Sequence, residues 1–528
     1  MTRAAPAGKR PSSSASPRIG TAAPAVVVGG RLTVDDVVAV ARGAAVALGP
    51  DVEARLAAAR AVVDRHAGAE KPVYGLTTGL GAAVDTRLAA GEMAEFQGRA
   101  IAARAVGVGE PLPTPEVRAM LFVRLAGLAR GAAGVSPEVA LAIRDMLNAG
   151  VHPLVRATGS LGEADLAPLA QAFLPLVNEG EAELGGERLP GPEALCRAGI
   201  AAPELRPKDA IALLNANAQS VALAALALHE ADLALEAATA AGALSLEGFR
   251  ANLSPIDPRA VALRPAPGQM AASRRLRALL AGSDLYENGR ARRVQDPLSF
   301  RCLAPVLGAA AEALAAARRA VEADLDGAGD SPAVLADGDM LSTVNFDTTA
   351  LALAFEALGL AASHVAAAAV FRIAKLMSPA FSDLPRFLTR RGGSHTGFAT
   401  AQKTAAALEA EIRHLALPVG ALTAPVADGV EDYAPMTPRV VVKTREILRR
   451  LALLAAVELV VAAQAVDLRD RIRLGRGTQR IHRFVRARIA PLDDDRPTGP
   501  DFERVAGAIK DGELAEVLAQ VLAESPAP

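Results

Sequence analysis

The sequence predicts a mainly α-helical protein, a bundle of long helices with few short strands. Apolar residues recur at helical spacing over several stretches of twenty residues or more. Hydrophobic residues make up 51% of the 528 residues, aromatic residues make up only 3%, and tryptophan is absent, so Ala, Leu and Val must fill the core. Strand patterns are few and short, for example Glu183–Arg188. Long helices with wide apolar faces are typical of the buried members of a bundle.

The helices are expected to begin just after residue 32. Thr33 is suited to cap the first helix, because acidic residues and then apolar spacing follow it. Lys71–Val84 is rich in Gly and Thr and predicts a loop. The later helices are predicted over Glu92–Ala105, Pro115–Arg130, Pro137–Ala149, Asp209–Leu246, Ala304–Leu325, Phe346–Met377, Ser394–Leu415, Pro438–Leu468 and Asp501–Leu522.

These elements suggest four segments. Residues 1–25 are rich in Ser, Pro and Ala and are expected to form a disordered tail. Residues 26–208 form a loop-and-helix domain, and residues 209–470 form the central long-helix bundle. Residues 471–528 are basic and then acidic, and they end in a short helix.

Composition argues against several classes of function. The formal net charge is −1, which favours neither nucleic acid nor an anionic membrane as a partner. The most apolar run, Leu451–Ala465, contains Glu458 and predicts a buried helix rather than a membrane span. The seven histidines show no metal-binding spacing, so no metal site is expected. Cys196 and Cys302 lie far apart, which favours a reducing, cytoplasmic location.

The most informative segment is Gly159–Ala170, which reads Gly-Ser-Leu-Gly-Glu-Ala-Asp-Leu-Ala-Pro-Leu-Ala. On residue types alone, Ser160 and Glu163 fit a capping box, in which Glu163 reaches back to Ser160 at a helix start. That interpretation is favoured about two to one over a catalytic carboxylate, because a capping box meets every constraint that the residue types impose.

Other segments carry residues suited to chemistry, although each is weak alone. Tyr74 lies in the Gly/Thr-rich loop, and Asn215 lies in Leu-Leu-Asn-Ala-Asn. Gln295 and Arg301 lie in Val-Gln-Asp-Pro-Leu-Ser-Phe-Arg-Cys, and Glu431 lies in Gly-Val-Glu-Asp-Tyr. Each has an ordinary alternative: for Tyr74 a turn with a half-buried ring, and for Asn215 a hydrogen bond to the backbone. For Arg301 it is a surface ion pair, and for Glu431 a solvated acidic turn.

In order and spacing, these motifs resemble the signatures of the aromatic amino acid and histidine ammonia-lyases from about Thr33 to Asp501. In that family Gly-Ser-Val-Gly precedes Ala-Ser-Gly-Asp-Leu-Ala-Pro-Leu-Ala, and the Ala-Ser-Gly triplet becomes an electrophilic methylidene-imidazolone (MIO). The resemblance implies a long-helix bundle, an amino-acid-like substrate and a homotetramer whose sites combine loops of three subunits.

The resemblance also implies roles for single residues. Tyr74 matches the base that removes the β-proton, and Arg301 matches the clamp for the substrate carboxylate, for which a planar guanidinium is suited. Glu431 matches an active-site glutamate. The other matching positions that would line the substrate pocket are Arg104, Asn215, Gln295 and Asn345.

Several positions depart from the family pattern. Glu163-Ala164 stands in place of the triplet, so no serine remains and no MIO is expected. Leu298 replaces a tyrosine, and Arg104 replaces a histidine that helps to select the aryl group. These changes indicate a more polar pocket, in which Glu163 binds a cationic nitrogen or acts as an acid or base.

Three hypotheses follow. The protein is an enzyme that eliminates, adds or cyclises without an MIO, with Tyr74 as base and Glu163 or Glu431 as acid. Alternatively, it is a catalytically silent relative that binds a ligand or a partner. The least favoured hypothesis is an ordinary lyase whose prosthetic group forms from other residues, because Gly-Glu-Ala offers no β-hydroxyl to eliminate.

Overall fold

The computed structural model describes residues 24–69, 71–89, 91–421 and 424–524. The protein is mostly helical, which confirms the predicted mainly α, long-helix fold. The predicted tail at 1–25 lies almost entirely outside the described residues.

The shorter helices of the N-terminal part precede a series of long ones. In chain order the helices are α1 (Val34–Ala41), α2 (Val52–Ala67), α3 (Glu92–Ala102), α4 (Thr114–Leu128), α5 (Pro137–Ala149), α6 (Leu166–Phe173), α7 (Gly191–Arg197), α8 (Asp209–Leu214), α9 (Ala218–Phe249), α10 (Pro258–Ala262), α11 (Pro267–Leu279), α12 (Leu298–Arg301), α13 (Leu303–Asp326), α14 (Thr349–Leu376), α15 (Pro379–Ser382), α16 (Ala401–Leu415), α17 (Thr437–Asp467), α18 (Arg476–Arg486), α19 (Gly499–Lys510) and α20 (Glu513–Ala523).

The strands are short and form small sheets at the edge of the bundle. They are β1 (Val26–Val28), β2 (Val46–Leu48), β3 (Val108–Pro111), β4 (Val151–Pro153), β5 (Arg156–Thr158), β6 (Glu181–Leu184), β7 (Glu187–Pro190), β8 (Ala333–Val334) and β9 (Met340–Leu341). β1 and β2 are parallel, whereas the pairs β3–β5, β4–β6, β6–β7 and β8–β9 are antiparallel. The strand predicted at Glu183–Arg188 is the hairpin of β6 and β7.

The centre of the molecule is the pair α9 and α17, which pack along each other. α14 lies against α17, and α13 lies against α14. Small residues bring the helices close together: a Cβ at Gly248 of α9 would lie 2.9 Å from the Cβ of Ala465 in α17. The Ala-rich composition therefore serves close packing of helices rather than extended strands.

Two predicted helices are each divided in two. The stretch Asp209–Leu246 is interrupted at Asn215–Asn217, where the backbone N–H of Asp165 donates to the carbonyl of Ala216 at 2.8 Å. The stretch Asp501–Leu522 is interrupted at Gly512, whose φ of +84° lies in the left-handed region that glycine favours.

The helix predicted at Ser394–Leu415 begins only at Ala401. The side chain of Asp495 accepts the backbone N–H groups of Thr396 and Gly397, at 2.6 and 2.9 Å. Gly397 has a φ of +56°, outside the right-handed helical region, so residues 394–400 form turns and the helix begins after them.

A single hydrophobic cluster runs from Val28 to Val521 and includes residues of all three predicted segments after the tail. The boundaries at 208 and 470 therefore mark changes of composition inside one continuous core, and as domain boundaries they stay predictions.

Within the part of the chain that the structure describes, two helical stretches are long and apolar enough to cross a membrane, by length and composition. In the first, Asp209–Phe249, 94% of the most apolar window is buried, as in the core helix of a soluble protein. In the second, Thr349–Leu376, only 39% of that window is buried. The large apolar side chains that α14 exposes are Leu353, Leu360 and Phe371.

Candidate active site

The loop Gly159–Asp165 is fixed to the first turn of α9 by a buried carboxylate. Ser160 Oγ donates to Asp165 Oδ1 at 2.6 Å, and Ser160 Oγ accepts the backbone N–H of Gly162 at 3.1 Å. Asp165 also accepts the backbone N–H and the hydroxyl of Ser220, at 2.8 and 3.0 Å. Burial raises the pKa of Asp165, and these hydrogen bonds oppose that shift. The loop therefore has a defined position against the bundle.

The predicted capping box at Ser160 and Glu163 is wrong. The following helix, α6, begins at Leu166 after Asp165, and Ser160 bonds to Asp165 and Gly162 instead. Gly162 has a φ of +93°, and a Cβ there would lie 2.9 Å from the backbone nitrogen of Thr437. This tight turn, which lies between α6 and α17, directs Glu163 away from the start of α6. The contact with Thr437, which is distant in sequence, therefore overrides the capping-box pattern of Ser160 and Glu163.

Glu163 instead meets the segment that precedes α14. Its backbone forms an antiparallel bridge with Asp347, which brings the two acidic side chains close together. Burial, then Asp347 and Glu431, raise the pKa of Glu163 from 4.5 to about 8. Glu163 Oε1 is buried and accepts no donor among the described residues. Glu163 therefore carries a proton at neutral pH.

A cavity of about 100 Å³ lies in front of this carboxyl group. Glu163, Glu431 and Tyr433 line it, together with the loop Gly159–Leu161. Glu431 is fixed by its backbone, which pairs with Val426 through hydrogen bonds of 2.9 and 3.3 Å. Two carboxyl groups and a phenol thus face one small space.

Tyr74 and Arg104 do not line this cavity, but Arg104 lies near both Tyr74 and Glu431. The Tyr74 hydroxyl accepts the backbone N–H of Gly81 at 3.0 Å, and the turn at Gly81–Ala83 packs against the turn at Ala427–Gly429. Burial lowers the pKa of the Arg104 guanidinium, while Tyr74 and Glu431 act on it in the opposite direction. Tyr74, Arg104, Glu163 and Glu431, predicted separately, are brought together.

Asn215 and Asn345 lie on the far side of the segment Val344–Asp347. Asn215 occupies the break between α8 and α9, and its Nδ2 donates to the backbone carbonyl of Ser331 at 2.7 Å. Asn345 lines a second cavity of about 260 Å³, together with Asn217 and Asp324. Burial, and then Asp347, raise the pKa of Asp324 to about 7. These two asparagines adjoin the first cavity without lining it.

Gln295 and Arg301 do not join the other predicted residues within one chain. They line a separate cavity of about 510 Å³ beside Asn252, which follows the C-terminal end of α9. Ser220, which binds the Glu163 loop, lies at the N-terminal end of the same helix. At 1.5 Å per residue, the two ends are about 40 Å apart. The expectation that Arg301 and Glu163 share one pocket is therefore wrong for a single chain.

Sequence reasoning also missed Asp347, Thr349 and Tyr433. Thr349 Oγ1 lies 2.6 Å from the Tyr433 hydroxyl, and it donates to Asp347 Oδ2 at 2.9 Å. One signal was present, because Tyr433 is one of only three tyrosines and comes two residues after Glu431. Asp347 could be found only from its pairing with Glu163, across more than 180 residues of sequence.

Comparison with known proteins places this geometry in a family. The sequence profile described as aromatic amino acid lyase matches residues 32–487. The chain belongs to the aromatic amino acid lyase family. A histidine ammonia-lyase of Symbiobacterium thermophilum is 39% identical over 500 residues, which cover 94% of this chain and 99% of that protein. A histidine ammonia-lyase of Anaeromyxobacter sp. is 38% identical over 499 residues, covering 92% and 98%.

Solved structures of the family share the fold. The ergothioneine-degrading enzyme ergothionase of Treponema denticola, in complex with desmethyl-ergothioneine sulfonic acid, superposes with a TM-score of 0.88 at 32% identity, covering 93% of this chain and 99% of that chain. Histidine ammonia-lyase of Trypanosoma cruzi gives a TM-score of 0.86 at 29% identity, covering 94% and 95%. Family members normally use an MIO formed from Ala-Ser-Gly, and here Glu163-Ala164 stands at that position.

Proposed function

We propose that this chain is a lyase-family enzyme that acts on an amino-acid-like substrate by carbon–nitrogen elimination, addition or cyclisation, without an MIO. The observation that carries the proposal is the position of Glu163, which lines one cavity with Glu431 and whose pKa is raised by burial and by neighbouring acids, while Arg104 lies near both Glu431 and Tyr74. A carboxyl acid, a phenol and a cation in one region are the groups that acid–base chemistry on an amino acid requires.

The residues at the family's prosthetic-group position do not fit an MIO. Formation of that group removes a serine hydroxyl as water, and Gly162-Glu163-Ala164 has no β-hydroxyl. The nearby hydroxyl of Ser160 is engaged by Asp165 and Gly162. No step of the proposed reaction therefore passes through an MIO.

In the elimination direction, the substrate binds with a neutral amino nitrogen. Tyr74, in its phenolate form, takes the β-proton, and the electron pair of the C–H bond becomes the new C=C bond. Glu163 gives its proton to the nitrogen, which thereby becomes cationic and leaves as a neutral amine when the carbon–nitrogen bond breaks. Glu431 stabilises the positive charge of the nitrogen before it leaves. Addition is the same sequence in reverse.

The carboxylate clamp requires a second copy of the chain. Arg301 lies about 40 Å from Glu163 along α9, so it reaches this cavity only from another subunit. α14 exposes Leu353, Leu360 and Phe371, and an apolar face of this kind favours association of subunits. We therefore propose the homotetramer that the family resemblance implies. Two free cysteines are consistent with a cytoplasmic location.

One observation favours the alternative, a catalytically silent relative. The cavity at Glu163 measures about 100 Å³ in the single chain, whereas ligand sites are commonly about 300–1,000 Å³. Assembly of subunits would enlarge the site if the protein is an enzyme. A silent relative would keep a small, closed cavity in the assembly, with no room for an amino acid.

The first prediction concerns the covalent state of the chain. Because Gly162-Glu163-Ala164 has no hydroxyl to lose, we expect intact-protein mass spectrometry to give the mass of the unmodified chain. A mass lower by two water molecules, together with near-ultraviolet absorbance, would show that an MIO forms after all.

The second prediction concerns Tyr74 and Arg301. We expect the purified full-length protein to convert a member of a panel containing histidine, ergothioneine, aromatic amino acids and arginine, followed by liquid chromatography and mass spectrometry. Tyr74→Phe should lower kcat/KM by about 100-fold, because the base is lost. Arg301→Ala should act mainly through KM, because a substrate contact is lost.

Two control variants carry the same types of substitution at other positions. Tyr286→Phe and Arg259→Ala change exposed residues in other regions of the chain, and they should leave the rate unchanged. Activity that survives Tyr74→Phe and Arg301→Ala would contradict the assigned roles. Absence of turnover across the panel, combined with binding of a panel member, would favour the silent relative.

A further inference from the structure

Asp347 is held in place by the first residue of α14. The backbone N–H of Thr349 donates to Asp347 Oδ1 at 3.1 Å, and the Thr349 hydroxyl donates to Asp347 Oδ2 at 2.9 Å. Both oxygens therefore accept hydrogen bonds, an arrangement that suits an ionised carboxylate. The backbone bridge to Glu163 fixes the distance between the two acidic side chains.

The same hydroxyl connects Asp347 to the wall of the cavity. Thr349 Oγ1 lies 2.6 Å from the hydroxyl of Tyr433, and Tyr433 lines the cavity with Glu163 and Glu431. Because the Thr349 hydroxyl donates its one proton to Asp347, the Tyr433 hydroxyl must donate to Thr349. A directed chain of hydrogen bonds thus runs from Tyr433 through Thr349 to Asp347.

We propose that Asp347 is a positioning residue which shares one proton with Glu163 and thereby keeps the Glu163 carboxyl group in its acid form at the cavity. The backbone bridge holds the two carboxyl groups side by side, and two negative charges so close together repel each other, so the pair keeps one proton. Because both oxygens of Asp347 already accept hydrogen bonds from Thr349, the proton resides on Glu163. When Glu163 gives up this proton, the pair holds two negative charges, and it is then poised to take a proton back.

The charges around the pair support this assignment. Asp347 approaches Glu163 from the segment before α14, and Glu431 approaches it from the loop before α17. Behind Asp347, Asp324 on α13 adds a further acidic group. The Arg104 guanidinium acts on Glu431 and Tyr74. Mainly acidic groups therefore face Glu163, which favours a bound proton.

A purely structural role explains only part of the geometry. Asp347 followed by Thr349 forms a local turn that precedes α14, and many aspartates serve this purpose. Such a turn accounts for the bonds to Thr349, whereas the backbone bridge to Glu163 lies outside it. The two interpretations differ in one measurable property, the pH at which Glu163 loses its proton.

The test is difference infrared spectroscopy of the full-length protein from pH 6 to 10, which follows the C=O stretch of protonated carboxyl groups. We expect the wild-type protein to lose one such band near pH 8, separate from the band of Asp324 near pH 7, and Glu163→Gln to lack only the band near pH 8. Asp347→Asn should shift the transition down by about one pH unit or more, because a negative neighbour is removed. Asp493→Asn, at an exposed acid, should match the wild type.

Two outcomes overturn the inference. If Asp347→Asn titrates at the wild-type pH, Asp347 only shapes the turn. If no band disappears near pH 8 in the wild type, no proton is shared. Thr349→Val serves as a second variant, which keeps both acids while removing one donor to Asp347, and it should move the transition upwards. The inference rests on the proposed function only in that the shared proton would be given to the substrate. The infrared test needs no substrate, so it can fail or succeed independently of the proposed function.

Discussion

Replacing Asp330 with alanine is expected to lower the free energy of unfolding by about 3–5 kcal/mol. Arg124 Nη2 and Asp330 Oδ1 are 2.6 Å apart, and both side chains are only 1% exposed. The substitution would leave the Arg124 guanidinium in the core without its counter-ion, so the whole cost of desolvating that charge would remain. Guanidinium-induced unfolding followed by circular dichroism measures the loss.

A neighbouring ion pair provides the control. Arg130 and Asp326 are 2.9 Å apart, and they are 25% and 36% exposed. Asp326→Ala should therefore cost less than about 1 kcal/mol, because water and salt already screen this pair. The double variant Arg124→Met, Asp330→Leu should recover part of the stability, since it removes both charges of the pair, while buried Lys208 loses the attraction of Asp330. Equal losses in Asp330→Ala and Asp326→Ala would contradict the argument.

The Arg124–Asp330 pair also supports the candidate site. Asp330 precedes Ser331, whose carbonyl accepts from Asn215 at the break between α8 and α9. Asn217, on the other side of the break, donates to the carbonyl of Phe346, close to Asp347. A change in the core at Asp330 is therefore connected by hydrogen bonds to the segment that faces Glu163.

Helices that are determined by local sequence are predicted well. The helix Pro137–Ala149 has the predicted bounds, since Pro begins it and Gly150, at a φ of +74°, ends it. The capping role of Thr33 is confirmed by its hydrogen bonds with Asp36. In both cases the signals lie within four residues of the helix end, so the sequence contains the whole explanation.

Features that depend on distant contacts are not predictable in this way. The stretch Asp209–Leu246 has unbroken helical periodicity, yet it is interrupted where Ala216 accepts a hydrogen bond from Asp165. Ser160 and Glu163 have the spacing of a capping box, yet the turn at Gly162 is set by its contact with Thr437. Each partner lies more than 50 residues away, beyond the reach of a local pattern.

The residues of the candidate site also differ in how well the sequence predicts where they lie. The family motifs identified Tyr74, Arg104, Glu163 and Glu431, which the fold places in one region, with Glu163 and Glu431 lining one cavity and Arg104 near both Glu431 and Tyr74. The same motifs also identified Arg301, which the fold places at the opposite end of α9. A sequence motif can predict that residues take part in the same reaction. It cannot predict whether those residues come from the same copy of the chain.

Replacing Glu163 with glutamine is expected to lower kcat/KM by about 1,000-fold, because glutamine keeps the shape of the side chain but has no proton to give to the departing nitrogen. The wild-type kcat/KM should fall above about pH 8, where the free enzyme loses this proton. Glu431→Gln retains the proton on Glu163, and its kcat/KM should show a fall above neutrality that Glu163→Gln lacks.

The same substitution has an effect on folding that needs no substrate. The pKa of Glu163 is raised from 4.5 to about 8 in the folded protein, so the folded state holds a proton that the unfolded chain releases near pH 4.5. The stability from this proton is fully present below pH 4.5, declines as the pH rises, and is lost above about pH 8. Partial exposure and solvent screening reduce the effect to about 2 kcal/mol. The free energy of unfolding of Glu163→Gln should not show this decline. If the free energy of unfolding of the wild type instead rose between pH 5 and 8, and that of Glu163→Gln did not, Glu163 would be a carboxylate rather than an acid at the cavity.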